Sequence, residues 1–133
     1  MAARHAARRQ ALDLLYQSDV TGQEPAAAIA AWRAAGETVD PFAVELVDGV
    51  TANADAIDAL LGSAAVGWTV DRMPALDRTI LRIAILELRF RDDVPAAVAI
   101  DEAVAAAKEL STEDSARFVN GVLGRIARES GSG

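Results

Sequence analysis

The stretch "PALDRTILRIAILELRFR", residues 74–91, decides the fold. Leu76, Ile80, Leu81, Ile83, Ile85, Leu86, Leu88 and Phe90 leave little polar surface on any side of a 3.6-residue turn, and alternation of period two is lacking. The segment therefore predicts a helix, begun at Pro74 and ended by Asp92-Asp93. A helix that is apolar nearly all round is a buried, central one, so the chain is expected to be all-α, with the other helices packed around this one.

Two polar features interrupt that helix. Arg78, Arg82 and Arg89 fall within about 40° of one another on the helical wheel. They read as a solvated or salt-bridged face, or as a binding stripe. Glu87 falls on the opposite, apolar side, where a carboxylate needs a partner or hydrogen-bond donors.

Outward from this centre the helical pattern continues. Pro95 starts a helix to about Leu110, and Ser111 with Asp114 forms a Ser-x-x-Asp variant of the capping box for a last helix to about Arg128. Towards the N-terminus, helices are expected at about 4–19, from Pro25 to Gly36, at 41–51 behind an Asp40 N-cap, and at 53–62. The first has Ala7, Ala11, Leu12, Leu14 and Leu15 on its apolar side and stops at Thr21-Gly22. "GSAAVGWTV", residues 62–70, either extends the fourth helix or forms a short connection. The result is about seven helices, read as one domain over residues 1–129 with a mobile tail over 130–133.

Composition excludes much chemistry. Among 133 residues there is no Cys and one His, His5, which removes thiolate chemistry, disulfides and His-rich metal or catalytic clusters. Gly-rich phosphate loops are missing. Acidic neighbours such as Asp92-Asp93 and Asp101-Glu102 do not converge on one substrate atom. No catalytic residue, metal or cofactor is expected. Without an apolar run of membrane-spanning length or a signal-peptide core, a soluble cytoplasmic protein is the expectation.

Charge is unevenly spread. The chain carries a formal net charge of -7, yet residues 1–12 sum to +3 through Arg4, Arg8 and Arg9. Residues 13–71 sum to -9, residues 72–91 to +3 and residues 92–133 to -4. Like charges one turn apart, at a helix N-terminus whose dipole disfavours cations, go against local stability. The cluster reads as a solvated helix end or as a phosphate-binding face.

A second candidate is "STEDSARFVNGVLGRI", residues 111–126. Glu113 and Asp114 suit the start of a helix. Phe118, after Arg117, reads either as core with Val119, Val122, Leu123 and Ile126, or as a stacking platform for single-stranded RNA. Gly121 is expected to let a neighbouring helix approach, and Asn120 to be a satisfied buried amide.

With these stretches in view, the chain resembles the NusB family of bacterial transcription antitermination factors. "RHAARRQALDLLYQSDV", "FAVELVDGVTANADAIDALL", "ILRIAILEL" and "DVPAAVAIDEAVAAAKELSTEDSARFVNGVLGRI" occur in the family's order over nearly the whole chain. The resemblance implies two packed helical bundles and no catalysis. It implies binding of boxA, a single-stranded element of ribosomal RNA leaders, together with the ribosomal protein NusE, in an antitermination complex with RNA polymerase. Family members occur as monomers and as homodimers.

Carried over to this chain, the family's RNA-contacting positions match Arg4, His5 and Arg8 on the first helix and Asp114, Arg117 and Phe118 on the last, combined into one composite site. His5 stands where other members have Arg, which makes this end less basic. Tyr16 and Asp77 match the NusE-facing side. Asp101 stands where the family often has Asn. Two rival readings are a protein-binding helical adaptor without RNA contact and an accessory domain of an RNA-modifying enzyme, such as the RNA cytosine methyltransferases that carry the same module.

Overall fold

The computed structural model describes residues 2–131. Seven α-helices run in order: α1 (Ala2–Thr21), α2 (Pro25–Ala34), α3 (Pro41–Ala52), α4 (Ala54–Ala64), α5 (Ala75–Phe90), α6 (Ala96–Leu110) and α7 (Glu113–Gly131). A short 3-10 helix, Val70–Arg72, lies between α4 and α5, and no strand occurs among the described residues. The chain divides into two compact units, one ending at Ala52 and the other beginning at Asn53.

In the first unit α1, α2 and α3 pack on one another. The apolar side read for α1, namely Ala7, Ala11, Leu12, Leu14 and Leu15, is buried throughout. Gly22 ends α1 at φ +78° and Gly36 follows α2 at φ +90°, left-handed conformations that glycine adopts without a Cβ penalty. Asp40 caps α3: its Oδ1 accepts the Phe42 N–H at 2.8 Å. Gln10 on α1 holds the α2–α3 connection from both sides. Its Nε2 donates to the Thr38 carbonyl at 2.8 Å and its Oε1 accepts the Asp40 N–H at 2.9 Å.

In the second unit α5 packs against α4, α6 and α7. It is the buried helix its sequence predicted, with Ile80, Leu81, Ile83, Ala84, Ile85 and Leu86 all in the core. α6 buries Ala99, Ala103 and Ala107, one small residue per turn, and small contact residues let helix axes come close. α7 contributes Ala116, Val119, Val122, Leu123 and Ile126.

The arginine row of α5 is structural at two positions. Arg82 makes a two-pronged contact with Asp58 of α4, Nε to Oδ1 and Nη2 to Oδ2 both at 2.9 Å. Arg78 Nη1 donates to the carbonyls of Val70, Asp71 and Met73 at 3.0, 3.3 and 3.2 Å, closing the 3-10 segment against α5. Glu87 is 1% exposed.

One local ambiguity resolves and two local expectations change. The ambiguous stretch 62–70 does both things expected of it: α4 continues to Ala64, then a turn closes where the Trp68 N–H donates to the Ala65 carbonyl at 3.1 Å. Gly67, at φ +84°, makes that turn possible. The cap of α7 lies one residue later than expected, because the Thr112 hydroxyl accepts the Ser115 N–H at 3.0 Å while Ser111 terminates α6. Finally, α7 runs through Gly131, beyond the expected end at Arg128. Of the tail expected to be mobile, residues 132 and 133 lie outside the described residues.

Candidate nucleic-acid interface

On the first unit the arginines of α1 lie over an aromatic ring. The Arg4 guanidinium stands 4.4 Å from the centroid of Phe42 and that of Arg8 stands 5.6 Å from it. A guanidinium above a ring face is attracted by the ring quadrupole, which offsets the repulsion between cations one turn apart. Arg8 is only 9% exposed, Arg4 is half-buried and His5 is exposed. The face therefore offers Arg4 and His5 outward, while Arg8 is largely committed to packing. Further along α1, Tyr16 is 41% exposed and Val20, one turn on, is also exposed.

On the second unit Phe118 is half-buried, so neither the core reading nor the open-platform reading holds in full. Its ring packs against Trp68, centroids 6.1 Å apart and planes tilted by 59°. Trp68 is 48% exposed, held out by the turn at Gly67. At the start of α7 the exposed Asp114 and Arg117 form an ion pair one turn apart, their side chains 87% and 70% exposed. The unit thus presents two paired aromatic rings and, from the residue before Phe118, an exposed guanidinium, groups suited to stacking bases and holding phosphate.

Sequence reasoning missed Trp68 and Phe42. Trp68 sat in the stretch whose conformation was ambiguous. A Trp just past a glycine turn was the signal that could have raised it. In the sequence Phe42 reads only as part of a helix.

Asn120 and Gly121 are not where the sequence put them, and Asp77 lies deeper than its expected place implies. Asp77, expected on the partner-facing side, is 7% exposed, and its carboxylate accepts a hydrogen bond from the Ser115 hydroxyl. It ties α5 to α7 because it sits in the first turn of α5, facing the inward side of α7. Asn120 is exposed rather than buried. Gly121 is exposed as well, and a Cβ placed on it meets nothing within 4 Å, so no helix approaches it. Asp101 is exposed on α6.

Among the described residues no group of three or more His, Cys, Asp or Glu side chains is placed to hold a metal ion. None of the described helices is long and apolar enough to cross a membrane.

Comparison with known proteins gives these faces a context. The NusB family model matches residues 5–128. The chain is 52% identical to the transcription antitermination protein NusB of Beutenbergia cavernae, covering 96% of this chain and 91% of that one. It is 53% identical to the NusB of Saccharopolyspora erythraea, covering 96% and 88%. In three dimensions it is similar to a chain in a crystal structure of the antitermination factors NusB and NusE in complex with dsRNA, with a TM-score of 0.86 at 26% identity, covering 97% and 98%. With a family match over nearly its whole length and two relatives at about half identity, the chain belongs to the NusB family of transcription antitermination proteins.

Proposed function

We propose that this chain binds boxA-type single-stranded RNA of ribosomal RNA leaders together with NusE, and that the complex joins RNA polymerase to promote read-through in the cytoplasm. Family membership makes it an antitermination factor and not an enzyme. The observation that carries the RNA reading is the pairing of Trp68 and Phe118, with the exposed Arg117 one residue before Phe118 in α7, on a chain of net charge -7. An acidic protein repels nucleic acid in general. A local set of rings and cations then restricts binding to one orientation.

The residues assigned to RNA are Arg4 and His5 on the first unit and Asp114, Arg117, Phe118 and Trp68 on the second, with Arg8 in a supporting place behind Arg4. Asp114 acts on Arg117, holding its guanidinium at the start of α7. For NusE, a ribosomal protein, the acidic segment 13–71 provides long-range attraction, and Tyr16 provides an exposed ring on that segment. The similar structure of NusB and NusE in complex with dsRNA supports NusE and RNA as partners.

The test is a titration of labelled boxA RNA with this chain alone, NusE alone and the two together, against an RNA of scrambled sequence. The expected result is tight, salt-dependent binding of boxA RNA by the pair and weaker binding by the chain alone. Equal affinity for both RNAs, with no gain from NusE, would leave only the adaptor reading.

A further inference from the structure

Gly121 is a cost without an internal return. It lies within α7, and a glycine in an exposed helix interior weakens the helix relative to alanine. Its φ is not positive, so the backbone does not require it. A Cβ there would meet nothing within 4 Å, so packing inside the chain does not require it either.

The surroundings of Gly121 point to what lies against it. At about 100° per residue, Arg117, Gly121, Arg125 and Arg128 fall within about 80° of the circumference of α7, and all four are exposed. From Arg117 to Arg128 the helix rises about 16 Å. Phe118 flanks this face near its start. Arg128 Nη1 stands 3.3 Å from where a Cβ on Gly124 would be, so its guanidinium leans back along the helix towards Gly121. The face is thus a bare patch of helix with Arg117 before it and Arg125 and Arg128 after it, bordered by Glu113 and Asp114 at its start and Glu129 at its end, on a chain of net charge -7.

We propose that this face of α7 continues the RNA path: the sugar–phosphate backbone lies across the helix at Gly121, between Arg117 on one side and Arg125 and Arg128 on the other. Guanidinium groups are donors only and suit phosphate oxygens. The bare helix lets the strand come close enough for all three to reach it. The contiguity with Phe118 favours RNA over an acidic protein. The inference rests on the RNA-binding reading and extends it by Gly121, Arg125 and Arg128.

The experiment uses the full chain with NusE and a short single-stranded RNA carrying boxA. Gly121→Gln places a good helix former at an open position, so the protein should fold at least as stably as the parent by urea unfolding. RNA affinity should fall at least about fivefold, or about 1 kcal/mol of binding free energy, since a long side chain now occupies the backbone's place. Arg125→Ala with Arg128→Ala should weaken binding and make the slope of log K against log salt shallower by about 0.7 per arginine. Phe118→Ala serves as the control for the underlying reading. If Phe118→Ala weakens binding while Gly121→Gln and the double arginine variant bind RNA normally, the path along α7 is wrong and the RNA reading stands. If all three bind normally, the RNA reading itself fails. If the α7 variants lose affinity for NusE but not for RNA, the face belongs to a protein and the inference is overturned.

Discussion

The rings of Trp68 and Phe118 meet at 6.1 Å with a tilt of 59°, one brought by the loop after α4 and the other by the first turns of α7. The pair leaves Phe118 half-buried against Trp68. Trp68 covers part of Phe118 and remains open itself. Trp68→Ala should cost about 1–3 kcal/mol of stability, because about half of its large surface is buried. It should cost RNA binding about 1–3 kcal/mol, the worth of one stacked base. Urea unfolding and RNA titration on the same variant check both numbers. Phe118→Ala should lose a similar amount of binding and more stability than Trp68→Ala, since Phe118 is the less exposed of the two.

The arginines of α1 make a second divided prediction. Phe42→Leu keeps an apolar side chain in a buried place but removes the ring beneath Arg4 and Arg8. The loss of cation–π attraction should destabilise the chain by about 0.5–1 kcal/mol beyond the change in packing. Arg8→Ala should destabilise more than Arg4→Ala, and Arg4→Ala should weaken RNA binding more than it lowers stability. Reversal of that order in paired unfolding and binding measurements would remove Arg4 from the interface.

Much of this was legible in the sequence because its signals are local. The run from Ile80 to Leu86 announces a buried helix by period alone, and Gly22, Gly36 and Asp40 punctuate the chain by backbone chemistry. What escaped depended on contacts across elements. Asp77 reads as a surface carboxylate until the Ser115 hydroxyl is seen against it, 38 residues away. Gly121 reads as a packing glycine until the space beside it proves open. Trp68 and Phe118 are fifty positions apart, and no periodicity links a loop residue to a helix residue.

The contact between Asp77 and Ser115 gives a third prediction. Ser115→Ala removes a hydroxyl donor from a buried carboxylate and should destabilise by about 1–3 kcal/mol, the cost of a buried polar group left without its hydrogen bond. NusE affinity per folded molecule should stay unchanged, because Asp77 is tied inward. A selective loss of NusE binding at full stability would return Asp77 to the partner face.

The core of the second unit makes a simpler forecast. Ile83 is buried in α5, so Ile83→Ala should cost about 2–5 kcal/mol in urea unfolding. A loss below about 0.5 kcal/mol would mean that α5 is not the helix around which this unit is packed.

Asp13 on α1 supplies a dependence on pH. Partial burial pushes its carboxyl above the ordinary value, and the positive charge of Arg9, one turn before it, offsets only part of that shift. A carboxyl whose folded value is raised binds its proton more tightly in the folded state than in the unfolded one. Its contribution to stability is therefore fully present below the unfolded value, near 3.8, and is lost as pH rises through the higher folded value. Asp13→Asn stays neutral throughout and should escape that loss. Compared with the parent, the variant should gain stability steadily from about pH 3 upward and then level off once the parent carboxyl is fully ionised, before about pH 7. The gain should be small, because Asp13 is largely open to solvent and its charge is well screened there. Urea midpoints of both proteins across that range check the sign. A variant that becomes less stable than the parent as pH rises would show that attraction to Arg9, and not burial, governs this carboxylate.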